Sequence, residues 1–266
     1  MSLPFLKWAG GKTQLLPELR KLYPLNFDKY YEPFLGGGAV FFDLKPKNYL
    51  ISDSNPELIN TYKTIATKHK EVVKKLSKMK NSEEYFYKVR ELKFEDLDKI
   101  EAAARTIYLN RTCFNGLYRV NKSGQFNVPY GRYKNPNFIQ EERLLSASKL
   151  LSANKIRQMT FEKLRDIKIS KNDFIFFDPP YVPLEGYADF KRYTKEQFHF
   201  DSQEKLAELF KSLASQGVKL ILTNSNTDIV RNLYKGFDYK VIDTKRNINS
   251  RGNKRTGQDL IVYANL

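Results

Sequence analysis

Apolar residues recur along the 266-residue chain in two rhythms, one strand-like and one helical. Residues 29–42, KYYEPFLGGGAVFF, predict a short aromatic strand, a glycine turn and the start of an apolar helix. Residues 48–65, NYLISDSNPELINTYKTI, predict a second strand ending at Asp53, with Asn55 and Pro56 placed to open a helix. Strand, turn, helix and strand in that order begin an α/β sheet. Residues 57–112 mix Lys and Glu with Leu, Ile, Val and Tyr, contain no proline, and predict helix. The rhythm breaks at 114–136, FNGLYRVNKSGQFNVPYGRYKNP, where NKSG between two extended runs predicts a β-hairpin. A helical stretch near 140–153 comes next, and strand-like runs return at IRQM, DFIFF, KLILTNS, YKVID and DLIVYAN. The α/β pattern is thus interrupted by a helical and hairpin insert and then resumed.

One of those runs ends abruptly. In DFIFFDPPY (173–181) an apolar strand stops on Asp178, Pro179, Pro180 and Tyr181. The carboxyl end of a central strand is the rim where open α/β sheets bind ligands. Two prolines stiffen the chain there and bring no N–H to compete for nearby acceptors. A carboxylate beside a backbone carbonyl suits an amino group with two hydrogens, such as an exocyclic NH2, and Tyr181 can lie against the ring that carries it. The competing reading is a strand-ending turn in which Asp178 caps the next segment of chain.

Two glycine segments invite similar scrutiny. FLKWAGGKTQLL (5–16) ends like a phosphate loop, but the first glycine of that pattern would fall at Leu6, so the NTPase reading fails on spacing. It leaves Trp8, two glycines and Lys12 either as a pocket lining or as a surface turn before a helix. The triple glycine at 36–38 is no dinucleotide fingerprint, because its third glycine would fall at Phe41. Followed by Asp53 at the end of the next strand, it does suit a nucleoside site in which the acid meets ribose hydroxyls; otherwise Asp53 caps the next helix.

Charge narrows the partner. The chain carries 46 Lys and Arg against 30 Asp and Glu, a net +16, which favours a polyanion. Between Ala102 and Gln140 there is no carboxylate, while Arg105, Arg111, Arg119, Lys122, Arg132 and Lys134 are present among Phe114, Tyr118, Phe126, Tyr130 and Tyr133. That mixture fits phosphate contact with base stacking or wedging, or else a solvated basic face over a core of aromatics. Arg119 can present a two-pronged donor to a guanine edge. The stretch TKRNINSRGNKRTGQ (244–258) reads as a basic loop that clamps a backbone, or as an ordinary exposed loop. A single cysteine, Cys113, and two histidines far apart speak against disulfides and a metal site. No long apolar run, signal peptide or lipidation motif is present, so a cytoplasmic protein without a membrane partner is expected.

In order along the chain, FLKWAGGK, EPFLGGGAVFF, SDSNPELI, the 114–136 segment and DPPY resemble the Dam-type (DpnII-like) DNA adenine-N6 methyltransferases, over essentially the whole length. The resemblance implies a Rossmann-like methyltransferase sheet that binds S-adenosylmethionine (SAM), formed by residues 1–56 and 145–266, with a target-recognition insert at 57–144. It implies methylation of adenine N6 in double-stranded DNA, within GATC and by base flipping, with a cognate restriction endonuclease as a possible companion and a monomer as the reading unit. Carried over by position, Trp8, Ala9, Gly10 and Lys12 match the family's first cofactor motif. Glu32, Phe34, Gly36 and Gly38 match its glycine loop, and Asp53 its ribose-binding acid. Thr160 and Phe161 fall more loosely beside the donor's adenine. Asp178, Pro179, Pro180 and Tyr181 match the catalytic tetrapeptide, whose Asp also faces the cofactor. Phe114, Asn115, Arg119, Pro129 and Arg132 match positions that wedge the duplex and read bases; several relatives have Tyr at the place of Phe114, whose ring lacks the hydroxyl. Cytosine-C5 chemistry would need a cysteine nucleophile in a Pro-Cys setting, which Cys113 lacks. Cytosine-N4 transfer would use the same acceptors, and a non-catalytic DNA-binding repressor would not need both intact motifs.

Overall fold

The computed structural model describes residues 4–8, 10–121, 123–183, 200–245 and 256–266. The chain divides into two compact units. The first comprises Met1–Thr13, Gly36–Lys45 and Asp53–Gln158, and the second Gln14–Leu35, Pro46–Ser52 and Met159–Leu266.

In the second unit the glycine-punctuated pattern becomes a sheet. Its strands are β1 (Tyr30–Glu32), β2 (Tyr49–Asp53, whose last residue belongs to the first unit), β4 (Phe174–Phe177), β5 (Lys219–Ser225), β6 (Asp238–Lys245) and β7 (Thr256–Ala264). They adopt the order β2-β1-β4-β5-β7-β6 within a sheet of seven strands. β1 runs parallel to β2 and β4, and β4 parallel to β5, while β7 is antiparallel to both β5 and β6. All four residues of β4 are buried, which is why FIFF shows no polar alternation. Helix α7 (Phe200–Ser215) covers the sheet with Leu206, Phe210 and Leu213 against Phe177, Leu220 and Leu222. Short α1 (Leu16–Arg20) and α8 (Asp228–Leu233), the latter capped by Thr227 Oγ1 on the Val230 amide, complete the described helices here. Neither α7 nor α8 was expected from the sequence pattern.

The first unit is mainly helical: α2 (Ala39–Leu44), α3 (Pro56–Leu76), α4 (Glu83–Glu91), α5 (Lys99–Thr112) and α6 (Glu141–Leu150), with the short strand β3 (Ile156–Gln158). The region read as one helical stretch, 57–112, is therefore three helices. Their starts are set by side chains that accept from exposed first-turn amides: Asn55 for α3, Ser82 for α4 and Asp98 for α5. Helix α5 is buried on all sides from Ala102 to Asn110, and its three alanines let it pack closely. The predicted hairpin is present as two isolated bridges, Cys113 with Tyr130 and Val120 with Phe126, closed by a turn in which the Asn121 amide donates to Gln125 O at 2.8 Å. No described helix is long and apolar enough to cross a membrane.

Candidate active site and nucleic-acid interface

In the first unit, the two glycine segments meet around one indole. Gly36 has φ +46, and a Cβ there would stand 2.8 Å from Trp8 Cδ1; one on Gly37 would stand 3.0 Å from Trp8 Cβ. The Gly36 amide donates to Asp53 Oδ2 at 3.0 Å, and the Asn55 amide to Asp53 Oδ1 at 3.0 Å. Asp53 therefore does not cap α3; Asn55 does. Burial raises the Asp53 carboxyl pKa, and the amides of Gly36, Asn55 and Ser54 oppose that shift. Tyr62 OH donates to Gly36 O at 3.0 Å and braces the loop from behind. Lys12 is 4% exposed, with its ammonium on the Gly10 carbonyl. Trp8, Gly10, Lys12, Gly36, Gly38 and Asp53 are thus brought together, whereas Ala9 lies outside the described residues.

In the second unit, Glu32 ends β1 and accepts from Tyr30 OH at 2.7 Å. Phe34, partly exposed, stacks on buried Phe161 at 5.5 Å with planes 29° apart. Thr160 is exposed at the start of the 3-10 turn Phe161–Asp166.

Asp178 comes directly after β4, at the same rim as Glu32 and the end of β5. Thr223 of β5 donates to Asp178 Oδ1 at 2.8 Å. Gln203 Nε2 of α7 donates to Pro180 O at 2.8 Å, and Asn224 Nδ2 to Gln203 Oε1 at 3.1 Å. Val182 is gripped at both backbone atoms: its amide donates to Asn224 Oδ1 at 3.1 Å, and its carbonyl accepts from Ser225 Oγ at 2.6 Å. The exit of the tetrapeptide is thus fixed by buried polar side chains, which answers how a strand can end in so polar a sequence. Among the described residues no donor is found on Pro179 O. Tyr181 OH donates to Asp259 Oδ2 of β7 at 3.2 Å. Burial, with the carboxylates of Asp178 and Asp259, pushes the Tyr181 hydroxyl well above its ordinary pKa, so it stays a neutral donor. Gln203, Thr223, Asn224 and Asp259 were missed in the sequence; the polar run TNS closing an apolar strand was the available signal.

The carboxylate-free stretch from Ala102 to Gln140 is less uniformly basic at its surface than its composition suggests. Arg105 does not belong to a basic surface. It is 3% exposed and pairs with Glu57 Oε2 at 3.1 Å, and its second terminal nitrogen reaches Arg90 O at 3.2 Å. Desolvating a lone guanidinium is costly, so a buried one is found with a carboxylate. Of the aromatics, Phe126 is core and Tyr118 is half-buried, with ring centroids 5.8 Å apart; Phe114 is 50% exposed. Asn115 and Arg132 both adopt the left-handed region at φ 54, and the Asn115 amide donates to Tyr133 OH at 3.0 Å. Arg119 is exposed and folds its Nε onto Asn127 Oδ1 at 2.7 Å. Pro129 O accepts from the Phe114 amide at 2.9 Å. Lys122 and residues 246–255 of the second basic stretch lie outside the described residues.

Comparison with known proteins gives the family of the chain. Residues 8–248 match the family of D12 class N6 adenine-specific DNA methyltransferases. The chain is 43% identical over 274 residues to the type II methyltransferase M.MjaIII of Methanocaldococcus jannaschii, covering 95% of this chain and 94% of that one. It is 39% identical over 269 residues to the type II methyltransferase M1.LlaDCHI of Lactococcus lactis subsp. cremoris, covering 98% and 95%. It is 33% identical over 261 residues to the DNA adenine methylase of Haemophilus influenzae, covering 95% and 90%.

Proposed function

Because this chain belongs to the D12 class N6 adenine-specific DNA methyltransferase family, whose methyl donor is SAM, we propose that it methylates N6 of an adenine flipped out of duplex DNA, within GATC. The observation that carries the reading is the pair of acceptors after β4: Asp178, set by Thr223, and the Pro179 carbonyl, in a chain that buried side chains hold rigid. An N6 amine inside the base stack is out of reach of any donor, so the base must leave the duplex at a cost of a few kcal/mol. Asp178 and Pro179 O accept the two N6 hydrogens and aim the nitrogen lone pair, while Tyr181 lies against the base. SAM supplies an electrophilic methyl group when bound. Positive charge grows on N6 as its bond to the methyl group forms and the bond from that methyl to the donor's sulfur breaks; the Asp178 carboxylate stabilises the charge, and N6 then gives up one of its two protons to water.

Each unit carries its own set of residues with chemistry suited to part of SAM. In the first, Asp53 offers carboxylate lone pairs to ribose hydroxyls, and the buried Lys12 ammonium suits the donor's carboxylate beside open glycine backbone at Gly10, Gly36 and Gly38, with Trp8 as a wall. In the second, Glu32, Phe34, Thr160 and Phe161 are the positions that the family resemblance assigns to cofactor binding, and the Phe34 ring is suited to an adenine. Residues 57–144 read the DNA and residues 1–56 with 145–266 do the chemistry. Phe114 is the exposed wedge, Asn115 and Arg132 are held in unusual backbone conformations of the kind found at functional positions, and Arg119 and Pro129 line the reading edge. The word type II in two relatives' names supports a companion restriction endonuclease. We take the enzyme to act as a cytoplasmic monomer.

Asp178→Ala should abolish methyl transfer while SAM and DNA still bind, and near-normal turnover in that variant would overturn the assignment. Labelled SAM with a GATC duplex, beside duplexes with each base changed in turn, tests the site; equal labelling of all of them would remove GATC.

A further inference from the structure

Tyr181 is tethered by a residue that the reaction as described does not use. Asp259 lies in β7 opposite Ser225 of β5 and Ile242 of β6. Because β7 is antiparallel to β5, a residue near the start of β7 arrives at the rim where β4 and β5 end. Asp259 is 9% exposed. Its Oδ2 accepts from Tyr181 OH at 3.2 Å and its Oδ1 from Thr244 Oγ1 of β6 at 3.2 Å. Thr244 Oγ1 also contacts Gly257 O at 3.2 Å, which ties the hydroxyl to the neighbouring strand. The acid is therefore oriented at both oxygens, one by the sheet and one by the phenol.

We propose that Asp259 is a positioning residue for methyl transfer, fixing the Tyr181 ring against the target base through the phenol hydroxyl. A tyrosine ring turns about two side-chain torsions, and a ring used as a stacking platform works only in one plane. A hydrogen bond from its far end to a buried, doubly held carboxylate fixes the direction of the ring axis, and because a phenol O–H prefers the plane of its ring, the place of the acceptor also favours one ring plane. The carboxylate matters as well as the geometry: a bond from the phenol to a charged acceptor is roughly twice as strong as the neutral one that an amide oxygen would accept in its place. This inference rests on the reading that Tyr181 holds the base.

A double-mutant cycle tests it on unmethylated chromosomal DNA, which contains every short site. Steady-state kinetics with labelled SAM are measured for the full chain and for Asp259→Ala, Tyr181→Phe and the double variant, with Tyr181→Ala alongside. Each of the first two single changes is expected to lower kcat roughly tenfold, the size of one hydrogen bond to a charged group, with KM for SAM unchanged. The double variant should lose no more than the worse single one, since both remove the same bond. Losses that multiply would make Asp259 a support of the sheet and overturn the proposal. If Tyr181→Phe is harmless and Tyr181→Ala is not, the ring still holds the base but the tether is irrelevant, and the proposal falls alone. If Tyr181→Ala is harmless too, the base-holding reading falls with it. Should Asp259→Ala fail to fold, Asp259→Asn and Thr244→Val probe the same bond with little change in volume: both are expected to lower kcat in the Tyr181 enzyme and to do nothing further in the Tyr181→Phe enzyme, and a further loss there would equally overturn the proposal.

Discussion

Trp8 and Tyr118 stack with ring centroids 5.3 Å apart and planes 21° from parallel. Trp8 also stands against the backbone of Gly36 and Gly37, and Tyr118 meets Phe126 of the hairpin edge-on at 5.8 Å. One indole therefore walls the proposed cofactor loop on one side and, through Tyr118, supports the hairpin segment on the other.

Tyr118→Ala is expected to weaken SAM binding as well as DNA binding. A stacked aromatic pair contributes about 0.5–1.5 kcal/mol beyond its buried area, so SAM affinity should drop roughly two- to tenfold by calorimetry. Tyr118→Phe keeps the ring and should bind SAM nearly as well as the parent. Unchanged SAM affinity in Tyr118→Ala would show that the stack carries nothing to the loop.

Gly36→Ala should remove SAM binding more completely. The left-handed backbone at φ +46 costs a residue with a Cβ roughly 1–2 kcal/mol, and the new methyl would displace Trp8. SAM should raise the melting temperature of the parent by preferential binding to the folded state. It should leave that of the variant where it was.

Arg105→Ala leaves Glu57 buried without its cation, and urea denaturation should register a loss of about 3–5 kcal/mol. A pH dependence comes with it. Burial already raises the Glu57 carboxyl above 4.5 and the guanidinium opposes that rise, so removing Arg105 lifts it further. The folded variant then prefers the protonated acid, and its stability should fall as pH climbs from about 4.5 through the raised value, more steeply than in the parent.

Cys113 is buried, with its Sγ near Leu117 O at 3.3 Å, and burial pushes its thiol up to about 11. At pH 8 only about one thiol in a thousand is ionised in the fold. A disulfide reagent should label it slowly in the native protein and promptly in urea. Since the unfolded chain releases its proton nearer 9.0, the same group should erode stability as pH rises from about 9 to 11.

Local grammar in the sequence is what the structure repeats most faithfully. Asn55 and Pro56 open α3 as expected, β2 ends on Asp53, β4 stops just before Asp178, and Asn121 bonds back to Gln125 where a turn was expected, because caps, turns and buried strands are written in neighbouring residues. What stayed hidden depends on partners far along the chain. Arg105 belongs to the interior only because Glu57, 48 positions away, is there to meet it. Asp259 read as nothing more than the start of a strand, since its place opposite Ser225 depends on an antiparallel register that hydrophobic alternation does not encode. The buried grip of Gln203 and Asn224 on the tetrapeptide is of the same kind.

Asn110 of α5 treats Lys7 as a sheet would treat a strand: the Lys7 amide donates to its Oδ1 at 2.8 Å, its Nδ2 donates to Lys7 O at 2.5 Å, and the same Nδ2 lies 3.3 Å from Gly116 O. A Cβ on Gly116 would overlap that of Lys7. The start of the chain thus takes its position from a helix a hundred residues downstream. Anyone transplanting a foreign hairpin into this scaffold has to leave Asn110 and Gly116 behind as native sutures, or the graft will unseat Lys7 and the indole that follows it.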